Sequence, residues 1–408
     1  MPAHPSIFRN TSSMEPLLPT TGRAELADLS VKIFQKSGEL RASLPSKSVR
    51  QEISRLVCEM NSYYSNLIEG HKTLPRDIEK ALHQDFSTQH EERRNQQLSV
   101  AHIKTERSMR ARLEEYPETD VFSSEFICWL HSEFYSSIPK EEWFTVSEEG
   151  KRFPLEPGKL RDHNVDVGKH TPPDHTALEK FFQRFQAFYT DAKLPATDRL
   201  IALAAAHHRL AWIHPFGDGN GRVARLQSQA AMITAGLDTE GLYTLSRGLA
   251  RSRPTYYKHL QEADQPRHSD YDGRGNLSDK ALSQFCIYFL TQILDQITFM
   301  LNLIEPFKLQ ERIETHLRFI RLDIDPKMRN HLTKLLRELV IQGEITRGAV
   351  PHIVGLKGTA SREVIRKALD ERLISTSSEK GPLKIHFPSQ VLESYFPLLF
   401  TDIPTESQ

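Results

Sequence analysis

Apolar side chains recur at intervals of three and four residues along most of this chain, and that spacing predicts helices. After a Pro-, Ser- and Thr-rich tail to about residue 25, Leu26 to Leu44 and Lys47 to Glu69 read as helices. The second gathers Val49, Ile53, Leu56, Val57, Met60, Tyr64, Leu67 and Ile68 near one face, and Gly70 follows as a C-cap. Leu74 to His83 and Glu91 to Glu114 give two more. From about 120 to 300 the pattern stays mostly helical, with an apolar run over Asp198 to Trp212 and further helices at Arg222 to Ala235, Tyr256 to Ala263 and Asp279 to Leu303. Residues 146 to 175 break it: four prolines, three glycines and the alternating piece HNVDV predict an extended loop or small hairpin.

Beyond about 305 the elements shorten. A helix over Pro326 to Gln342, a short one over Ala349 to Gly355 and a third over Ala360 to Ile374, capped by Thr359, precede a two-stranded wing, Ser375 to Phe387, that turns at Glu379 to Pro382. That order predicts a winged helix-turn-helix. The expectation is a mainly α chain in three parts: an N-terminal helical region over 1–115, a helical core over 116–300 and the winged helix over 305–408.

Composition narrows the classes. A chain of 408 residues exceeds one comfortable core. Its 53 basic and 53 acidic side chains leave no global field for nucleic acid or anionic membrane, so any polyanion site is local. Cys58, Cys128 and Cys286 are far apart and lie in helical runs, which predicts free thiols. With no secretory pattern at the N-terminus and no uninterrupted apolar run near the roughly 18 residues a membrane span needs, the expectation is a cytoplasmic chain.

The chemistry concentrates in His214 to Arg225, HPFGDGNGRVAR. Pro215, Gly217, Gly219 and Gly221 stop one helix and allow a tight turn of backbone amides before the next, a nest suited to phosphates. Arg222 and Arg225 share a face of the first helical turn, where guanidinium groups are unfavourable unless an anion sits there. Asp218 supplies a hard oxygen for a divalent ion such as magnesium, and His214 a base for a hydroxyl at neutral pH. A plain Gly-rich turn with a surface histidine does not account for His, Asp, Asn and two arginines within twelve residues. The string is neither a Walker A motif nor a dinucleotide fingerprint.

HPFGDGNGRVAR resembles the signature of the Fic family, HxFx(D/E)GNGRxxR, at every fixed position. The resemblance implies a Fic-type helical bundle with a small β-hairpin flap, and transfer of AMP from ATP to a Ser, Thr or Tyr hydroxyl of a protein. It implies His214 as general base, Asp218 as magnesium ligand, Asn220 at the α-phosphate, backbone N–H groups of the Gly217, Gly219 and Gly221 turn around the phosphates, Arg222 at the β-phosphate and Arg225 at the γ-phosphate. Phe216 would be a buried anchor. The stretch Asn164 to Thr171 resembles the family flap, where a protein target docks as an added strand. Tyr256 and Tyr257 resemble an adenine-side YY pair, although Asp264 stands where several relatives carry Asn.

Ser65 to Gly70, SNLIEG, resembles the family's inhibitory motif (S/T)xxxE(G/N). Glu69 would then pair with Arg225 and occupy the place of the γ-phosphate. A solvated carboxylate at a helix end is the plainer alternative. The same resemblance permits the reverse reaction, removal of AMP, as well as auto-modification and a homodimer.

Residues 347 to 384 carry eight basic side chains against four acidic ones, with Arg362 and Arg366 four apart. DNA binding, protein interaction and passive packing all stay open for this part. So do two other readings of the whole: a DNA-binding regulator whose Fic-like centre senses nucleotide, and a metal-dependent phosphohydrolase using His207, His208, His214 and Asp218.

Overall fold

Residues 9–44, 46–146, 152–168, 170–190 and 194–401 are described by the computed structural model, and helix dominates them. Helices α1 (Arg23–Ala42), α2 (Lys47–Ile68), α3 (Pro75–Leu82), α4 (His90–Glu115) and α5 (Ser124–Ser136) precede an antiparallel hairpin, β1 (Phe144–Val146) and β2 (Arg152–Pro154). Helices α6 (Leu178–Tyr189), α7 (Ala196–Ile213), α8 (Asn220–Thr234), α9 (Leu245–Arg251), α10 (Arg253–Ala263) and α11 (Asp279–Leu303) complete the main body. Then come α12 (Pro306–Phe319), α13 (Pro326–Gln342), β3 (Glu344–Ile345), α14 (Val350–Val354), α15 (Thr359–Asp370), β4 (Ile374–Thr376), β5 (Leu383–Ile385) and α16 (Leu392–Tyr395).

Most predicted helices stand within a few residues of their expected ends. Three expectations change. Helix α12 falls outside the predicted helices; it buries Leu309, Ile313 and Leu317, a four-residue spacing that the charged residues between them conceal. Helix α15 ends at Asp370, because Arg372 takes a positive φ and Ile374 joins the strand β4. The regular hairpin lies at 144–154, whereas within 164–171 a single bridge joins Val167 to His170, and Lys169 lies outside the described residues. Among the described residues, the alternating stretch HNVDV pairs only at that bridge.

The core is built where helix faces meet. Helix α11 packs on α1, α7, α9 and α10, and α2 packs on α4 and α9. By length and composition α11 is the one described helix apolar enough to cross a membrane, yet Phe285, Phe289, Ile293 and Ile297 are fully buried against its neighbours. Cys58 and Cys286 are buried free thiols, and Cys128 is a half-buried one.

The three-stranded sheet runs β3-β5-β4, all antiparallel. This C-terminal part does not stand clear of the rest. Glu52 on α2 accepts a hydrogen bond from the Phe387 N–H (2.9 Å) and meets His386 Nδ1 at 2.8 Å, while Arg55 donates to the Phe387 carbonyl (3.0 Å). Tyr64, fully buried, donates to the Leu399 carbonyl and accepts from the Thr401 N–H, each at 3.0 Å. Helix α2 is thus held between Glu52 and Tyr64 by residues 386–401.

Candidate active site

Helix α7 ends in His214, whose φ of 48° and ψ of 63° are left-handed. That conformation is unfavourable for a residue with a Cβ and persists only where the surroundings hold it. Here the His214 carbonyl accepts from Arg161 Nε at 2.9 Å, and the Pro215 carbonyl accepts from the Arg161 N–H at 2.9 Å. The imidazole is half-buried and its pKa is drawn down to about 4, first by burial, then by His170 and Arg161 nearby. It is therefore neutral at pH 7, the form that accepts a proton.

The loop after it is held open from inside. Phe216 is fully buried and stacks on His131 with ring centroids 4.0 Å apart. Asn220 accepts from the Phe216 N–H (2.9 Å) and donates to its carbonyl (2.8 Å), so both ends of the amide fix the turn. Gly219, with φ at 79°, is the N-cap of α8; a Cβ there would stand 3.2 Å from the Tyr135 ring. Gly217 lies against Thr145 of β1, which brings the hairpin over the loop.

Asp218 is exposed at the mouth of the nest. Burial of its surroundings would raise its pKa, but Arg222 and the hydrogen bond from Tyr135 Oη (2.7 Å) outweigh that and hold it below the usual carboxylate range. His131 Nδ1 accepts from the Gly158 N–H (2.8 Å), which leaves Nε2 to donate to the Asp218 carbonyl (3.2 Å). The described residues hold no group of three His, Cys, Asp or Glu able to cage a metal. One ionised carboxylate fits a magnesium ion that takes its remaining oxygens from phosphates and water.

The two arginines differ. Arg222 is buried, lies over the Phe134 ring at 5.4 Å and donates to Asn66 on α2 (3.2 Å). Arg225 donates to the Ser65 hydroxyl and carbonyl, both at 2.9 Å, and to Glu69 Oε1 at 2.7 Å. Glu69 arrives there because α2 ends in a Schellman turn: the His71 N–H reaches the Asn66 carbonyl, the Gly70 N–H the Leu67 carbonyl, and Gly70 has φ at 89°. Burial would raise the Glu69 pKa; Arg225 and Arg222 outweigh it, and the carboxylate stays ionised. It fills the space against Gly221, where a Cβ would come within 2.3 Å of Glu69 Oε1. Beside it lies a cavity of about 360 Å³ lined by Glu69, Arg94, Tyr135, Asp218 and Arg222 among others. His214 and Arg225 are not part of that lining.

The tyrosine pair separates. Tyr256 is 2% exposed and its Oη bonds His207 Nε2 at 2.7 Å, which makes it core rather than an open wall. Tyr257 is 36% exposed and donates to the Ile68 carbonyl (3.2 Å), one residue before Glu69. His207 also meets Ser228 (2.8 Å), and His208 meets Asp264 (3.1 Å) and the Leu260 carbonyl. Both histidines are spent on core contacts, which removes them from a metal-dependent hydrolase centre with His214 and Asp218.

Arg161, His131 and Tyr135 complete the site from outside the sequence motifs, and Ser65 and Asn66 of the SNLIEG segment join it by bonding Arg225 and Arg222. His131 and Tyr135 are four apart on α5, the one local signal that they share a face; Arg161 offered none.

Residues 121–231 match the model of the Fic/DOC family. Over 115 residues the chain is 33% identical to the protein adenylyltransferase Fic of Nematostella vectensis, covering 28% of this chain and 26% of that protein. Over 83 residues it is 37% identical to the protein adenylyltransferase Fic of Drosophila erecta, covering 20% and 17%. The matched segments thus span about a quarter or less of those relatives. The fold is similar to the crystal structure of a Fic family protein from Desulfovibrio desulfuricans G20, with a TM-score of 0.50 at 16% identity over 90% of this chain and 98% of that one. It is similar to Fic-1 from C. elegans as well, with a TM-score of 0.53 at 18% identity over 69% and 73%. The chain therefore carries a Fic/DOC domain, and at the level of the domain the relatives support AMP transfer.

Proposed function

We propose that the chain is a protein adenylyltransferase that moves AMP from ATP to a Ser, Thr or Tyr hydroxyl, restrained at rest by Glu69. The observation that carries this reading is the 2.7 Å pair between Glu69 and Arg225, set beside a nest of glycine amides with a neutral histidine at its head.

His214 takes the proton of the attacking hydroxyl. The oxygen bonds to the α-phosphorus, the bond to the β-phosphate bridge breaks, and pyrophosphate leaves. Amides of the Gly217 to Gly221 turn and the Arg222 guanidinium face the charge that develops on the phosphate oxygens. Asp218 would hold a magnesium ion, which supplies charge neutralisation on the phosphates when bound. Arg225 would take the γ-phosphate once Glu69 leaves. A target docks along residues 164–171 through main-chain bonds, and Tyr257 offers its open face to the nucleoside.

De-AMPylation is the second reading, because the ionised Glu69 stands at the nest where it can orient a water. The elements α13, α14, α15 and β3 to β5 follow the order of a winged helix. Lys367 and Lys384 are tied to Glu371 and Glu344, which favours a packing or protein-binding role over a DNA face.

The test incubates wild-type, Glu69→Gly and Glu69→Gly/His214→Ala proteins with labelled ATP, magnesium and lysate. Label transfer should rise at least tenfold in the first variant and vanish in the second. Equal transfer by wild type and Glu69→Gly would remove the restraint from the reading, and transfer by the double variant would remove His214 as base.

A further inference from the structure

Arg161 is 6% exposed, lies in a loop and gives its side-chain hydrogen bonds to carbonyls, with the Asp174 carboxylate near enough to oppose the effect of burial. Its three side-chain nitrogens go to three different places: Nε to the His214 carbonyl (2.9 Å), Nη1 to the His163 carbonyl (2.8 Å) and Nη2 to the Pro173 carbonyl (2.5 Å). Its own N–H goes to Pro215 (2.9 Å). One planar fork thus closes the ends of the 163–173 segment upon each other and fastens both to the left-handed His214. A buried guanidinium is expensive to desolvate, and burial does draw its pKa down to about 10. Such a group is retained where its geometry is needed, and a lysine, with one point of charge, cannot reproduce it.

We propose that Arg161 is a positioning residue for the transfer reaction, holding the His214 backbone in its left-handed conformation while fixing the segment that presents the target. This rests on the reading of His214 as base. The consequence is that base and target are registered against the same side chain, and a displacement of either is felt by the other. A misplacement of about 1 Å at a reacting group lowers rates on the order of a hundredfold.

The experiment uses Arg161→Lys and Arg161→Gln in the Glu69→Gly background, with Arg209→Gln as a control. Arg209 is also a fully buried guanidinium that donates to backbone carbonyls, those of Pro16 and Ala263, and meets His208 Nδ1 at 2.7 Å; neither carbonyl belongs to His214 or to the 163–173 segment. Pyrophosphate release from ATP and magnesium is followed with ATP affinity and melting temperature. Both Arg161 variants should lose ten- to a hundredfold in kcat with ATP affinity within threefold.

The His214 imidazole is also titrated directly by NMR. After burial, His170 and Arg161 lower its pKa, while a hydrogen bond to the Ala211 backbone and the Asp218 carboxylate raise it. Arg161→Gln should raise its pKa from about 4 toward the ordinary value, Arg161→Lys should leave it low, and Arg209→Gln should not move it. Unchanged kcat in both Arg161 variants, or losses in all three that follow melting temperature alone, would overturn the proposal. If the Glu69→Gly protein itself releases no pyrophosphate, the reading of the site as a transferase fails. The titration then still decides whether Arg161 sets His214: an unmoved imidazole in Arg161→Gln would say that it does not.

Discussion

Arg225 and Glu69 meet at 2.7 Å across two helices, but Arg225 is tied to Ser65 by two further hydrogen bonds that do not depend on Glu69. Removing the carboxylate therefore leaves the guanidinium in place, aimed at the vacated space. Glu69→Gly should lower unfolding free energy by about 1–3 kcal/mol, the range for leaving a buried polar group short of a partner. ATP with magnesium at a hundred times its Kd should return about 2.7 kcal/mol. Denaturant unfolding with and without ATP checks both numbers, and a wild-type protein stabilised equally by ATP would contradict them.

Acid should switch the reaction off at an unusually low pH. The His214 pKa is depressed to about 4, so the imidazole keeps its basic form down to roughly pH 5 and loses it as pH falls through 4. In the Glu69→Gly background, kcat should be flat between pH 6 and 8 and drop on the acid side. An inflection near 6.5 would mean an imidazole exposed to water.

Phe216 is turned into the core and holds the loop from there. Fully buried and stacked on His131, it should cost about 3–5 kcal/mol on Phe216→Ala substitution. The loss of ATP binding should be greater than the fall in stability predicts, because the Phe216 backbone also anchors Asn220.

Glu52 should make the C-terminal attachment sensitive to acid. Burial would raise its pKa, but His386 and Arg55 outweigh it and hold it at about 2. A depressed carboxylate stabilises above its unfolded pKa and stops doing so as pH falls through the folded value. Glu52→Gln should therefore be clearly less stable than wild type at pH 7 and nearly equal to it near pH 2. A difference that persists unchanged between the two, followed by urea unfolding, would contradict this.

The helices and the nest were legible because both are local. Schellman and N-cap turns are written in adjacent residues, so Gly70 and Gly219 announced the ends of α2 and α7–α8 correctly in kind. What stayed hidden was contact between distant residues. Arg161 reaches His214 over 53 positions and Tyr135 reaches Asp218 over 83, with no periodicity to betray either. Tyr256 misled for the opposite reason: a tyrosine beside a tyrosine carries no mark of which one faces inward. The alternation in HNVDV pointed to an extended loop or small hairpin; among the described residues it makes one bridge, Val167 to His170, while the longer pairing joins 144–146 to 152–154.

Helix α2 has 22 residues and so spans roughly 33 Å as a stiff rod. One end delivers Glu69 to Arg225, and the flank is gripped by Phe387, Leu399 and Thr401. A rod cannot be tilted at one end alone. The carboxylate in the nest and residues 387–401 are therefore fastened to one and the same rigid element.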